Sequence, residues 1–163
     1  MKTLNQVRSI LSDIEPSEKT FASLDPDDIP HLMTLLDDSE EWLAARAVHA
    51  LSRLNDPRAH EGLNKAAADP RGAIRVAVAT ALPRLPAPVS ERIMSAFLDD
   101  HDTGVRKFTL RALPAIVPAH LHAKIERMVQ SDTSEPIRAL AATVLAARTR
   151  RQVPPHSIET LET

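Results

Sequence analysis

The chain has no cysteine and no tyrosine, one tryptophan, three phenylalanines and three glycines among its 163 residues. Without cysteine there is no disulfide framework, no thiol nucleophile and no thiolate metal site. The glycines, at 62, 72 and 104, are isolated, so no glycine-rich loop can cradle a phosphate. Scarce aromatics leave little to stack against nucleobases. Neither sign of charge dominates: 20 Lys and Arg face 22 Asp and Glu, a net charge of −2, whereas a dedicated nucleic-acid binder carries a basic excess. No apolar run approaches the ~20 residues needed to span a bilayer. The opening MKTLNQVRSILSD lacks the uninterrupted apolar stretch of a secretory signal. A cytoplasmic protein with no membrane contact is the expectation.

What is present is alanine and leucine, which lead the helix scale, together with 13 prolines. Proline inside a helix costs about 3 kcal/mol, so its placement needs a reason. Pro26, Pro57 and Pro88 are spaced by 31, Pro118 falls one short of the next step, and Pro83 and Pro114 are again 31 apart. Repetition at this scale marks a solenoid. Four units follow: 25–55, 56–86, 87–117 and 118–148, the last with one extra residue near Pro136.

Leu32, Leu63, Met94 and Ile125 superpose in the first halves, and Leu43, Ile74, Val105 and Ile137 in the second. Apolar positions recur at three or four within each half, the helical period. Each unit is therefore two helices, with proline near the start of the first, where its missing N–H does no harm. Residues 1–24 read as capping helices or a worn repeat over the first unit's apolar face. Residues 149–163 read as an extended or disordered tail.

An aspartate closes each first helix and an arginine follows six later: Asp69 and Arg75, Asp100 and Arg106, Asp132 and Arg138. The first unit keeps Asp38 but has Ala44 at the arginine position. These residues are expected to form a structural ladder, pairing within a unit or with the next one.

The stretches AIRVAVATAL, GVRKFTLRAL and PIRALAATVL, with WLAARAVHAL as a degenerate member, resemble the second helix of short bacterial and archaeal HEAT-like repeats. The resemblance covers 25–148. It implies an all-α fold, a right-handed α–α superhelix of about four helix pairs with N-terminal capping helices. Its functional content is small, because such arrays serve many tasks.

Seven histidines raise the question of a metal or acid–base site. Iron-dependent deoxyhypusine hydroxylases resemble this fold and use several His-Glu pairs; here only His60-Glu61 exists, with Arg92 and Ala123 at the positions aligned with Glu61. His120 and His122 lie about 200° apart on a helix and read as solvated polar positions. No serine sits in a nucleophile-elbow context. No catalytic residue, metal site or cofactor is assigned, and the chain reads as a non-enzyme.

Bilin lyases and phycobilisome-degradation proteins also resemble these repeats, which implies an alternative role in handling a chromophore. DNA-alkylation-repair proteins with HEAT-like repeats use a basic concave face with aromatic residues. Here Phe97 and Phe108 fall at core positions, and Trp42 is expected to pack against the cap.

The second-helix segments 41–54, 72–85, 104–117 and 135–148 hold nine cations and only two acids, Glu41 and Glu135. Second helices of such solenoids line the concave surface. His49, Thr80 and Arg111 are equivalent, as are Arg53 and Arg84, and Lys107 shares a face with Arg111. The candidate partner-binding stripe is thus His49, Arg53, Thr80, Arg84, Lys107 and Arg111. It reads either as a docking face for an acidic or phosphate-bearing protein segment, or as a solvated face balanced by acids elsewhere. Nucleic acid is a disfavoured alternative partner, and oligomeric state is left open.

Overall fold

The computed structural model describes residues 1–14 and 16–150. Among the described residues ten helices follow one another: α1 (Leu4–Leu11), α2 (Glu18–Ala22), α3 (Ile29–Leu36), α4 (Glu41–Ser52), α5 (Pro57–Ala67), α6 (Gly72–Ala81), α7 (Ala87–Phe97), α8 (Thr103–Ala112), α9 (Ala119–Ser131) and α10 (Glu135–Ala147). Single 3-10 turns lie at Pro26–Asp28 and Leu82–Arg84.

Proline starts and stops these helices. Pro57 is the first residue of α5, Pro88 the second of α7, and Pro118 the residue capping α9. Near a helix start the absent N–H breaks no intrahelical bond. Pro83 and Pro114 act at the other end in different ways: Leu82 before Pro83 stays in the α region and the chain tightens into the 3-10 turn, whereas Leu113 before Pro114 is driven out of the α region. α6 ends at Ala81 and α8 at Ala112, two residues ahead of each proline. Helix therefore does not run to Val117: Leu113 is extended at φ −59°, ψ 140°. Ile116–Val117 instead pairs in parallel with Thr149–Arg150, a two-residue ladder that ties the exit of α10 to the exit of α8. Of the expected extended tail, only that pairing lies within the described residues.

Between the helices runs one continuous core. Leu32, Leu63 and Ile125 are fully buried and Met94 nearly so; Leu43, Ile74, Val105 and Ile137 repeat the pattern on the second helices. Truncating such a leucine to alanine costs about 2–5 kcal/mol. The second helices, α4, α6, α8 and α10, pack on one another more closely than the first helices, α3, α5, α7 and α9. Ala44, Ala47, Ala79 and Ala141, all at 0% exposure, permit this approach because they have no side chain beyond Cβ.

The N-terminal helices close the first end. Lys2 donates to Asp28 at 2.7 Å and to Asp25 at 3.2 Å, and the Asp28 carboxylate is completely buried. Arg46 on α4 donates to the carbonyls of Leu11 and Asp13, both at 2.6 Å, holding the end of α1. Phe21 is buried beneath this cap, but Trp42 is not: it is 47% exposed, and the Arg46 guanidinium lies 5.1 Å from its ring centroid. Arg46 reaches the carbonyl at the end of α1 and that of Asp13 just beyond it, with its guanidinium over the Trp42 ring. Phe97 is buried at 2%, and Phe108 is partly buried beneath Arg111. Among the described residues no helix is long and apolar enough to cross a membrane.

Candidate functional site

Two sets of cations stand along the second helices, and they differ in what already occupies them. The first set is the ladder. Arg75 on α6 reaches forward to Asp100 in the next unit, Nε to Oδ2 at 2.8 Å and Nη2 to Oδ1 at 3.0 Å. Its Nη1 donates back to the carbonyl of Asp69 at 2.8 Å. Arg106 repeats this geometry with Asp132, at 2.8 and 3.0 Å, and with the carbonyl of Asp100 at 2.8 Å. Each guanidinium thus spans two units as a two-pronged, charge-assisted clamp. Side chains of both pairs are 9% exposed or less.

The aspartates are shaped for this by their own turns. Oδ1 of Asp38, Asp69, Asp100 and Asp132 each accepts the backbone N–H two residues on, at 3.0, 2.8, 2.8 and 2.9 Å. That Asx turn fixes the carboxylate at the corner between first and second helix. Burial works to raise the pKa of Asp100, but the Arg75 hydrogen bond and the Asp102 N–H outweigh it and hold the carboxyl below its ordinary value.

At the ends of the array the rungs change. Where Ala44 supplies no arginine, Arg71 grips Asp69 and donates to the carbonyls of Asp38 and Leu36, both at 2.7 Å. Asp38 is met by Arg8 of α1. Arg138 donates to the carbonyl of Asp132 at 2.6 Å, and no carboxylate among the described residues pairs with it.

The second set is the stripe, which the structure places as two clusters. His49 and Arg53 lie at the end of α4, and Arg84 in the 3-10 turn after α6. Arg53 is paired with Glu18 of α2, its Nη1 donating to Oε1 at 3.1 Å, and its guanidinium lies 5.8 Å from the Phe21 ring centroid. The His49 ring meets Phe21 edge-on at 4.5 Å. Burial lowers the His49 pKa, and the charges of Arg84 and Arg53 lower it further against the pull of Glu18.

Lys107 and Arg111 stand exposed on α8, and Thr80 exposed on α6 donates to the carbonyl of Ala77 at 2.8 Å. Arg111 rims a cavity of about 450 Å³ walled by Leu82, Leu85, Met94, Leu113 and Pro114, with Glu91 also at its edge.

Sequence reasoning singled out neither Arg71 nor Glu18. The DPR spacing of Asp69-Pro70-Arg71, repeated at Asp56-Pro57-Arg58, was the available signal, since Arg58 grips Asp56 in the same way. No comparable signal marks Glu18. The histidines also divide. His101 touches Arg75 at 3.3 Å, while His122, expected to be solvated, is only 15% exposed. Its Nδ1 is 3.4 Å from Glu126 Oε1 but outside hydrogen-bonding geometry. Among the described residues no group of three or more His, Asp or Glu is placed to hold a metal ion.

No protein-family model matches the chain, and no curated protein matches its sequence. Solved structures do share its fold. The complex of CpcE and CpcF of phycocyanin lyase from Nostoc sp. PCC7120 aligns with a TM-score of 0.61 and 20% identity, over 86% of this chain and 96% of that one. Computationally designed armadillo repeat proteins for modular peptide recognition align with a TM-score of 0.51 and 17% identity, over 90% and 82%. The fold is the right-handed α–α superhelix of HEAT and armadillo-type repeats.

Proposed function

We propose that the protein is a non-enzymatic interaction scaffold that holds an acidic or phosphate-bearing protein segment on a concave face formed by its second helices. One observation carries this reading. Of the cations on those helices and on the turn after α6, Arg75 and Arg106 are bound by aspartates, Arg53 by Glu18 and Arg46 by carbonyls, whereas the side chains of Arg84, Lys107 and Arg111 are exposed and form no salt bridge among the described residues. The tighter packing of the second helices is what an inner, concave layer requires. Rigid helix pairs present such a face preformed, so little ordering entropy is lost on binding.

The test is fluorescence anisotropy with a labelled Asp/Glu-rich peptide, a basic peptide of equal length and duplex DNA. The acidic peptide is expected to bind, and Arg84→Glu/Arg111→Glu to abolish that binding in a still-folded chain. Equal binding by the double variant would sink the proposal. DNA binding that falls steeply with salt would move the protein to nucleic-acid recognition, which its few aromatics disfavour.

The 450 Å³ cavity favours a second reading. Apolar walls with an arginine at the rim suit an amphipathic acid such as a linear tetrapyrrole, and a phycocyanin lyase complex shares the fold. Titration with a bilin, followed by its absorbance in wild type and Arg111→Ala, decides it: an unchanged spectrum removes this reading.

A further inference from the structure

The end of the stripe nearest the N-terminal cap already holds an anion. Glu18, first residue of the short helix α2, lies against Arg53, which is paired with both of its carboxylate oxygens. Arg84 stands beside them: Glu18, Ser52, Arg53 and Arg84 line one cavity of about 460 Å³. Ser52, Arg53 and Arg84 also line an adjoining cavity of about 330 Å³ with Asn55 and His60. The exposed Arg84 side chain makes no hydrogen bond among the described residues, and its charge acts on Glu18.

Two guanidiniums facing one carboxylate leave one positive charge unbalanced. His49 does not alter that count, because its lowered pKa keeps it neutral near pH 7. The Glu18 side chain is 76% exposed, and an ion pair so open to water holds weakly. A dianion entering between Arg53 and Arg84 would balance both charges and offer three oxygens to two planar forks, the geometry in which arginine binds phosphate best.

We propose that Arg53 and Arg84 form a subsite for a phosphomonoester dianion carried by the partner segment, with Glu18 as a resident stand-in that the ligand displaces. This rests on the reading of the basic face as a docking surface, and it adds the class of anion and its control by α2. Displacement frees α2 from Arg53, so occupancy of the subsite loosens one tie between the cap and the first unit.

The experiment uses the full chain and three labelled peptides of one acidic sequence, carrying phosphoserine, glutamate or serine at the central position. Phosphoserine is expected to bind about tenfold more tightly than glutamate, the scale of one added charge-assisted contact. Glu18→Gln should tighten the phosphopeptide several-fold by removing the competitor. Arg84→Gln should erase the preference for phosphoserine, while Arg111→Gln should weaken the phosphoserine and glutamate peptides alike. Both altered side chains at the subsite are exposed, and circular dichroism checks that each variant is folded.

If phosphoserine and glutamate bind equally and Glu18→Gln changes nothing, the subsite is wrong, while the docking face stands as long as Arg84→Glu/Arg111→Glu still abolishes binding. If none of the acidic peptides binds, both ideas fall. Inorganic phosphate, tested by itself as competitor, separates the two sources of the anion. Arg84-dependent phosphate binding without any preference between peptides would assign the subsite to the free ion and overturn the phosphopeptide proposal.

Discussion

Arg71 fills a place that Ala44 leaves empty. Its guanidinium binds Asp69 at 2.9 and 2.8 Å and reaches the carbonyl of Asp38 at 2.7 Å. Those groups, a carboxylate and the preceding unit's corner carbonyl, are what Arg75 and Arg106 contact one and two units later. Arg75 and Arg106 extend forward from second helices, whereas Arg71 extends backward from the corner of the second unit. The slot is a property of stacked corners, and the chain fills it from whichever side has an arginine.

Ala44→Arg alone should therefore bring no gain, since its slot is taken and Ala44 is fully buried. In an Arg71→Ala background the same change should recover part of the lost stability, because the new side chain starts where Arg75 starts relative to Asp100. Chemical denaturation of the four chains of this double-mutant cycle measures the coupling. Additive losses would show that the slot cannot be filled from position 44.

Arg106→Ala should be far more damaging than Arg138→Ala. Removing Arg106 strands the buried carboxylate of Asp132, an effect of about 3–5 kcal/mol for a broken buried pair. Arg138 gives up only a hydrogen bond to the Asp132 carbonyl, worth about 1 kcal/mol. Urea midpoints at pH 7 compare them directly, and equal losses would refute the difference between an inner rung and the last one.

Stability should fall on acidification in two stages. Burial, with Arg84 and Arg53, lowers the His49 pKa, so the unfolded chain takes up a proton there first. The contribution from His49 is complete above about pH 6.5 and declines as pH falls toward the folded value. Asp69, held below its ordinary range by Arg71 against burial, and Asp100 behave with the same sign lower down. Their contribution is complete above about pH 4 and is lost as pH drops through their folded values. Midpoints measured from pH 8 to 3 should be flat, then shallow, then steep, and His49→Gln should remove only the shallow stage. A midpoint that rises between pH 7 and 5 would contradict this.

Lys2→Met should loosen the N-terminal cap. The Asp28 carboxylate is buried, Lys2 is its cationic partner, and one of its oxygens has no hydrogen-bond partner even in the intact chain. An isolated buried charge is costly, so Asp28 would protonate or the cap would open. Amide hydrogen exchange in α1 and α2 should accelerate at least about tenfold, the rate change for a loss near 1.4 kcal/mol. Exchange that is unchanged in those helices would show that Arg46, Arg8 and Arg53 hold the cap without Lys2.

Much of this molecule was legible before folding. Apolar spacing revealed the helix pairs, because a helix buries one face every three or four residues whatever lies beyond it. Pro83 and Pro114 showed the period but not where helices stop: the second-helix segments were read as 72–85 and 104–117, whereas α6 ends at Ala81 and α8 at Ala112. Trp42 was the plainest departure. It is 47% exposed beside Arg46, which reaches across its ring to the Leu11 and Asp13 carbonyls 35 and 33 residues earlier in the chain, a contact no local pattern reveals.

The sequence by itself determined the period, the helices and the residues that recur at the corners, because each depends on bonds spanning a few neighbours. Only the tertiary structure decided which arginine meets which aspartate, and which cations stay free. Arg75 and Asp100 are 25 residues apart. They meet because stacking brings one unit's second helix beside the next unit's corner, and the reach of a side chain across that gap is set by packing.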